Sequence, residues 1–138
     1  MIERGLEPDF SVEAVKQLDK IQGPAAHPTA SLRDLRCLLW CSIDNDDSRD
    51  LDQLTVAEAV AGGAKVMVAI ADVAGTVDQG SAIDAHAGVN TTSVYTAGGT
   101  FPMLPEKLST DLTSLGLGKD RSSFVIEMEF DRLGALVG

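Results

Sequence analysis

An acidic segment, residues 44–52, holds the side chains with the clearest capacity for chemistry. It carries five aspartates and one arginine in nine residues. Carboxylates this close raise one another's pKa values and repel, so a folded protein either keeps them solvated and apart or gathers them on a divalent cation. Asp50 and Asp52 are two residues apart and would project to one face of an extended segment, where Asp44 could fold back to meet them.

Three interpretations of this segment compete. The first is a solvated acidic loop. The second is an EF-hand calcium loop starting at Asp44, which fails because Arg49 stands where glycine is required and Thr55 where a bidentate glutamate is needed. The third is a hard-metal catalytic site, in which oxygen ligands hold magnesium or manganese for phosphoryl chemistry. Spacing alone does not strongly prefer the third.

Composition sets the limits for any function. The 138 residues are 44% hydrophobic, which suits one compact domain, and the net charge of −10 weakens nonspecific attraction to phosphate. That objection to a nucleic-acid partner lessens if the acid is concentrated at a metal site, because bound cations reverse the local field.

The cysteines and histidines favour no zinc site. Cys37 and Cys41 are four apart, unlike a C-x-x-C motif, and we interpret both as reduced core thiols. His27 and His86 are far apart in sequence, so a zinc site from these four side chains is disfavoured. With no leader and no apolar run near the roughly 20 residues of a membrane span, we expect a soluble, cytoplasmic protein.

Periodicity predicts the elements that must position the acidic segment. A helix capped by Ser11 is predicted over 10–21, followed by a connector to about residue 32, so this helix could be an appendage to the core. The further predictions are a buried strand over 37–43, an antiparallel hairpin of 54–60 with 65–73, short helices over 81–89 and 106–112, and a strand over 123–130 with one face wet. The last residues suggest a turn and the start of another strand, which favours a truncated domain.

Several short motifs together resemble a known family. In chain order they are Ile43-Asp44, Asp50-Leu51-Asp52, Ile70-Ala71-Asp72-Val73, Thr92-Ser93-Val94-Tyr95, Pro102-Met103-Leu104-Pro105-Glu106-Lys107-Leu108-Ser109 and Leu112-Thr113-Ser114-Leu115. The ordered set resembles the N-terminal part of the catalytic (RNB) domain shared by ribonuclease II and ribonuclease R. The resemblance covers roughly residues 33–130, which divides the chain into an N-terminal helix and connector, 1–32, and the N-terminal portion of an RNB-type domain, 33–138.

The resemblance implies a fold and an activity. The fold is α+β, a mixed and largely antiparallel sheet with flanking helices. The activity is 3′ to 5′ hydrolysis of single-stranded RNA to nucleoside 5′-monophosphates. Its cofactor is Mg²⁺, with Mn²⁺ as the alternative. No DNA or membrane partner is expected.

The resemblance also implies site residues. Four aspartates gather the metal in that family, spaced D-x5-D-x-D-D, and Asp44, Asp50 and Asp52 match the first three. Asp52 matches the most critical one. Gln53 stands at the fourth position, where an amide can ligate but adds no charge, so a second ion would bind more weakly unless another acid such as Asp46 or Asp47 substitutes.

The remaining matches have more modest roles. Tyr95 matches a tyrosine that stacks on bases near the 3′ end, the alternative being a half-buried core tyrosine. Asp72 is expected to be structural, and residues 102–105 to be scaffold along the RNA channel.

The family's catalytic domain is more than twice this length, and flanking OB-type domains supply most of its basic RNA surface. We therefore expect the 138-residue chain to be inactive without the remainder of the domain. The alternatives are a degenerate member that binds RNA or metal without cleaving, prompted by Gln53, and an unrelated calcium-binding domain.

Overall fold

A computed structural model describes residues 1–27 and 31–138. Residues 28–30 of the predicted connector lie outside the described part. The elements in chain order are a 3₁₀ turn Ile2–Arg4, α1 Val12–Lys20, β1 Gln53–Val60, β2 Gly63–Ala71, α2 Ala82–Asn90, β3 Val94–Thr96, β4 Gly99–Phe101, a π-helical turn Lys107–Leu112, and β5 Ser123–Asp131. The α+β class with antiparallel sheets is confirmed. Within the described ranges, no helix is long and apolar enough to cross a bilayer.

The main sheet has three antiparallel strands in the order β1-β2-β5. The predicted hairpin is confirmed, with Val60 paired to Gly63 across a tight connection. Gly62 there has a φ of 95°, a left-handed conformation that a side chain would disfavour. The next residue, Gly63, must be glycine for a different reason: an added Cβ would lie 1.7 Å from the carbonyl oxygen of Phe130 on β5.

The predicted helices over 10–21 and 81–89 are confirmed with slightly different ends. The Ser11 hydroxyl accepts a hydrogen bond from the Ala14 amide at 3.1 Å, and the Ser81 hydroxyl accepts one from the Asp84 amide at 3.4 Å. These side chains satisfy amides that have no partner within the first turn of each helix.

The expectation that the first helix is an appendage is wrong. Ala14 is fully buried in an apolar cluster with Ile83 of α2 and Leu108 of the π-helical turn. The Asn90 side chain also holds the segment before α1, since its Oδ1 accepts from the Glu7 amide and its Nδ2 donates to the Glu7 carbonyl, each at 2.8 Å. The helix was misjudged because its partners lie about 70 to 95 residues away in sequence.

The predicted buried strand over 37–43 is also wrong. Only Cys41 pairs with a strand residue, Thr55, and Leu39 is 90% exposed. The chain turns instead, because the Leu38 amide and the Trp40 indole both donate to the Leu35 carbonyl, at 3.2 and 2.9 Å. Both cysteines are free thiols, as expected, but they are exposed and do not belong to the core.

The two faces of the main sheet differ in what covers them. The inner face carries Met67, Ala69 and Ala71, which are buried, and Ala69 and Ala71 pack with Leu115 and Val125. The register places the opposite, outer face at Ala64, Val66, Val68, Ile70, Phe124, Ile126, Met128 and Phe130. The alternation predicted for 123–130 is present, but Phe124 and Ile126 on its apolar side are exposed as well as the glutamates on its polar side.

On that outer face, Phe124 is 63% exposed and Ile126 51%. On the other side of β5, Glu127 pairs with Lys65 and Arg33, and these cations hold the pKa of its carboxyl below the usual range. After a turn, residues 135–138 return along β5, where the Val137 amide donates to the Glu129 carbonyl at 2.8 Å, as predicted for the start of another strand.

Candidate functional site

The acidic segment is a loop closed at its base. Cys41 and Thr55 exchange two backbone hydrogen bonds, of 2.9 and 2.8 Å. The residues between them therefore form a loop whose two ends are bonded to each other and whose last residues enter β1. The Ala71 amide at the end of β2 donates to the Asp52 carbonyl at 2.9 Å, which fixes the last part of the loop to the sheet. The side chain of Asp52 is therefore held at the end of the β1–β2 pair.

Ser114 fixes the backbone of residues 49–51 in the same loop through hydrogen bonds. Its hydroxyl donates to the Arg49 carbonyl at 2.8 Å and accepts from the Leu51 amide at 3.2 Å, and the Leu115 amide donates to the Leu51 carbonyl at 2.8 Å. Ser114 is only 5% exposed, so its hydroxyl bonds are partly shielded from water. The backbone that carries Asp50 is thus fixed on both sides by contacts with residues 114–115.

Asp50 and Asp52 line one cavity of about 140 Å³. Its other walls include Ser93, next to β3, and Met103 and Leu104, which follow β4. Leu104 also belongs to the buried apolar cluster, so the cavity floor is part of the core. Two carboxylates that share a partly apolar cavity form a compact negative site suited to a cation.

Tyr95 on β3 connects directly to this pair. Its hydroxyl donates a hydrogen bond to Asp50 Oδ2 at 3.1 Å, while its ring is 68% exposed. That hydrogen bond, with burial and the charge of Asp50 after it, raises the pKa of the Tyr95 hydroxyl above its ordinary value, and the charge of Asp52 adds to the shift. The ring is open to a partner, so the alternative of a half-buried core tyrosine is wrong.

The structure does not bring the other predicted ligands to this cavity. Asp44 is exposed in the loop, and Gln53, the first residue of β1, is exposed too; neither side chain lines the cavity. In the part of the chain that the structure describes, no three histidine, cysteine or acidic side chains are placed to hold an ion together. The geometry therefore joins Asp50, Asp52 and Tyr95 and leaves Asp44 and Gln53 apart.

Asp72 has the contacts of a structural residue. It follows β2 directly and is buried, with one carboxylate oxygen accepting from the Gly75 amide at 2.9 Å and the other 2.6 Å from His27 Nε2. Gly75 packs so closely against Asp72 and His27 that an added Cβ would lie within 3 Å of both. This arrangement ties the segment before residue 28 to the end of the sheet.

Two features that position the site were not predicted from the sequence: the contact of Ser114 with the acidic loop and the hairpin that carries Tyr95. Ser114 belongs to a motif that carried the resemblance, but nothing in its spacing predicted that it would pin residues 49–51. The short hairpin of β3 and β4, which presents Tyr95, is not among the elements that periodicity predicts. The threonine and aromatic residues beside Gly98 and Gly99 were the signal for a hairpin turn there.

Comparison with known proteins decides the family. The sequence model of the RNB domain matches residues 32–138, most of the chain. This chain belongs to the RNB domain family. Ribonuclease R of Acidithiobacillus ferrooxidans is 43% identical over 109 residues, covering 79% of this chain and 25% of that protein. Ribonuclease R of Thermotoga maritima is 42% identical over 133 residues, covering 94% of this chain and 18% of the relative.

Solved structures of similar proteins agree with the fold. Mycoplasma genitalium RNase R in complex with double-stranded RNA matches with a TM-score of 0.86 and 30% identity, over 100% of this chain and 25% of that one. Yeast Ssd1, described as a pseudonuclease, matches with a TM-score of 0.55 at 18% identity, over 63% of this chain and 11% of that one, which shows the fold alone. This RNB chain spans a quarter or less of the length of these relatives.

Proposed function

We propose that this RNB segment supplies the metal-binding aspartates of a 3′ to 5′ exoribonuclease, which hydrolyses single-stranded RNA to nucleoside 5′-monophosphates. The observation that carries the proposal is the shared cavity of Asp50 and Asp52, with the Tyr95 hydroxyl bonded to Asp50. Its relatives are ribonucleases R, and two of the similar structures contain RNA. Both facts support RNA as the substrate class.

The donor set fits a hard divalent ion. Magnesium prefers carboxylate oxygens and commonly uses one or two protein carboxylates, completing its shell with water and substrate phosphate. Asp50 and Asp52 would hold the ion, with Asp52 as the principal ligand, and Asp44 and Gln53 would join only if the loop moved. When bound, the ion supplies activation of water and neutralisation of charge on the phosphodiester.

The residues of the chain itself have two tasks in this proposal. The hydrogen bond from the Tyr95 hydroxyl to Oδ2 orients the Asp50 carboxylate, which lines the cavity. The exposed Tyr95 ring offers a surface on which a base can stack, and stacking grips single strands with little dependence on sequence. One side chain would thus couple substrate placement to the geometry of the aspartate pair.

The proposed partners are the remainder of the catalytic domain and OB-type RNA-binding domains. The outer face of the main sheet supports the first of these, because a row of apolar side chains including Phe124, Ile126 and Ile70 is open to solvent. The net charge of −10 supports the second, since a chain this acidic leaves most of the basic surface for RNA to come from other domains. In a longer form of the protein, we expect the backbone amides of β5 to gain protection from hydrogen exchange.

A nuclease assay on that longer form tests the proposal. The form containing the rest of the catalytic domain is incubated with end-labelled poly(A) and magnesium, beside an Asp52→Asn variant. We expect mononucleotide release from the parent and a loss of about 100-fold or more in the variant, because one of two carboxylates on the ion is neutralised. Asp19→Asn, which neutralises an exposed acid of α1 outside the cavity, is the matched control and should retain activity.

An absence of magnesium-dependent mononucleotide release from the parent would reject the enzymatic proposal. The second candidate, a family member that binds RNA without cleaving it, is favoured by one observation: Gln53 replaces the fourth family acid. A Gln53→Asp variant separates the two. If the parent binds labelled RNA without cleaving it and Gln53→Asp gains cleavage, the chain is a degenerate member.

A further inference from the structure

A second cavity, of about 270 Å³, lies on the other side of the acidic loop. The charged side chains in its lining are Arg49, Lys119, Arg121 and Asp111, so three cations oppose one carboxylate. The chain as a whole carries 21 acidic and 11 basic residues, which makes a cavity with a positive balance an exception to the overall charge. A concentration of positive charge in a concave site attracts anions.

The two cavities share a wall. Leu51 and Ser114 line both of them, while Arg49 lines the second cavity and Asp50 and Asp52 line the first. The segment of residues 49–52 therefore has a basic side, at Arg49, and an acidic side, at Asp50 and Asp52. Because Ser114 bonds to the backbone of both Arg49 and Leu51, the same contact sets the position of both cavities.

Of the three cations in the second cavity, Arg121 is fixed by hydrogen bonds, whereas Arg49 and Lys119 are available to contact an anion. The Arg121 guanidinium is fixed by donation to the carbonyls of Asp111 and Asp120, at 2.9 and 3.0 Å, and its buried Nε has no hydrogen-bond partner among the described residues. Across residues 1–27 and 31–138, Arg49 and Lys119 form no ion pair. The Lys119 amide donates to the Gly116 carbonyl at 3.1 Å and closes a turn whose two end residues, Gly116 and Lys119, both line the cavity.

We propose that this cavity binds a phosphate group, either an internucleotide phosphate of RNA or the 5′-phosphate of a mononucleotide. Arg49 and Lys119 contact the anion, and Arg121 contributes fixed positive charge behind them. The volume lies just below the range of about 300–1000 Å³ typical of small-molecule sites, which suits one phosphate group better than a whole nucleotide. The inference goes beyond the proposed function, because it requires neither a metal ion nor cleavage.

Phosphate titration of the 138-residue chain tests the site. The ¹⁵N-labelled protein is titrated with inorganic phosphate in EDTA at constant ionic strength, and the amides of Arg49, Lys119 and Gly116 are followed with the Nε–H signal of Arg121. We expect saturable shifts confined to these groups. Lys119→Gln and Arg49→Gln should each weaken binding about fivefold, the effect of one unit charge about 4 Å away in water-like surroundings.

Two further variants sharpen the test. Asp111→Asn removes the opposing charge and should tighten phosphate binding by a similar factor. Lys16→Gln, which removes an exposed lysine of α1 outside the cavity lining, is the matched control and should leave binding unchanged. Shifts that do not saturate, or equal losses in Lys16→Gln and Lys119→Gln, would overturn the proposal.

The source of the phosphate is resolved by repeating the titration with 5′-AMP and with a short oligoadenylate. Tighter binding of the oligonucleotide assigns the site to the RNA backbone, and tighter binding of AMP assigns it to a mononucleotide. Charge-dependent phosphate binding by a protein without nuclease activity would leave this site standing while rejecting the proposed catalysis.

Discussion

Replacing Ser114 with alanine should destabilise the loop that carries Asp50 more than any other single hydroxyl removal around the two cavities. The hydroxyl makes two partly buried hydrogen bonds, one to the Arg49 carbonyl and one from the Leu51 amide. A net contribution of about 1 kcal/mol for each bond predicts a loss of about 2 kcal/mol in the free energy of unfolding. The loss has a local origin, so it should also be visible at single amides.

Urea unfolding followed by Trp40 fluorescence measures the global loss. With a urea dependence of about 2 kcal/mol per M for a chain of this size, the midpoint should fall by about 1 M with little change in slope. Ser109→Ala is the matched control, because Ser109 lines the first cavity and its hydroxyl has no hydrogen bond among the described residues. Its effect should stay within about 0.5 kcal/mol.

Native-state hydrogen exchange measures the local effect. The Leu51 amide should exchange faster in Ser114→Ala, while the Leu115 amide, which bonds to the Leu51 carbonyl, should lose less protection. The reasoning is refuted if Ser114→Ala and Ser109→Ala have equal midpoints, or if the Leu51 amide keeps its protection. In the longer form, Ser114→Ala should lower kcat with little change in KM, because the aspartates lose their position and the substrate surface remains.

Two further predictions concern side-chain contacts. Tyr95 is the only tyrosine, so tyrosinate absorbance reports its titration directly, and Asp50→Ala should lower its pKa toward the ordinary value whereas Asp47→Ala should not. Because the pKa of Tyr95 is raised in the folded protein, its bond to Asp50 is fully present at neutral pH and is lost as the pH rises through that pKa. Asn90→Ala removes two bonds to the Glu7 backbone and should cost roughly 2–3 kcal/mol in urea unfolding; an unchanged midpoint would show that the N-terminal segment is not held there.

Local patterns in the sequence predicted a large part of the fold. The caps Ser11 and Ser81, the β1–β2 hairpin and the alternation of β5 follow from preferences that act within a few residues of each position. The order of short motifs was sufficient to indicate the RNB family, which the match over residues 32–138 confirms. The acidic loop could be singled out because its charge density is unusual wherever the chain places it.

Tertiary structure alone decided which of those residues meet. Ser114 lies 63 residues from Leu51, and Tyr95 lies 45 from Asp50, so no local pattern encodes either contact. The same holds for the first helix, whose burial depends on α2, and for residues 37–43, where Leu39 and Ile43 are exposed while Trp40 packs against a buried cluster. Spacing along the chain limits which side chains share a face, but only packing between distant segments sets which faces converge on a cavity.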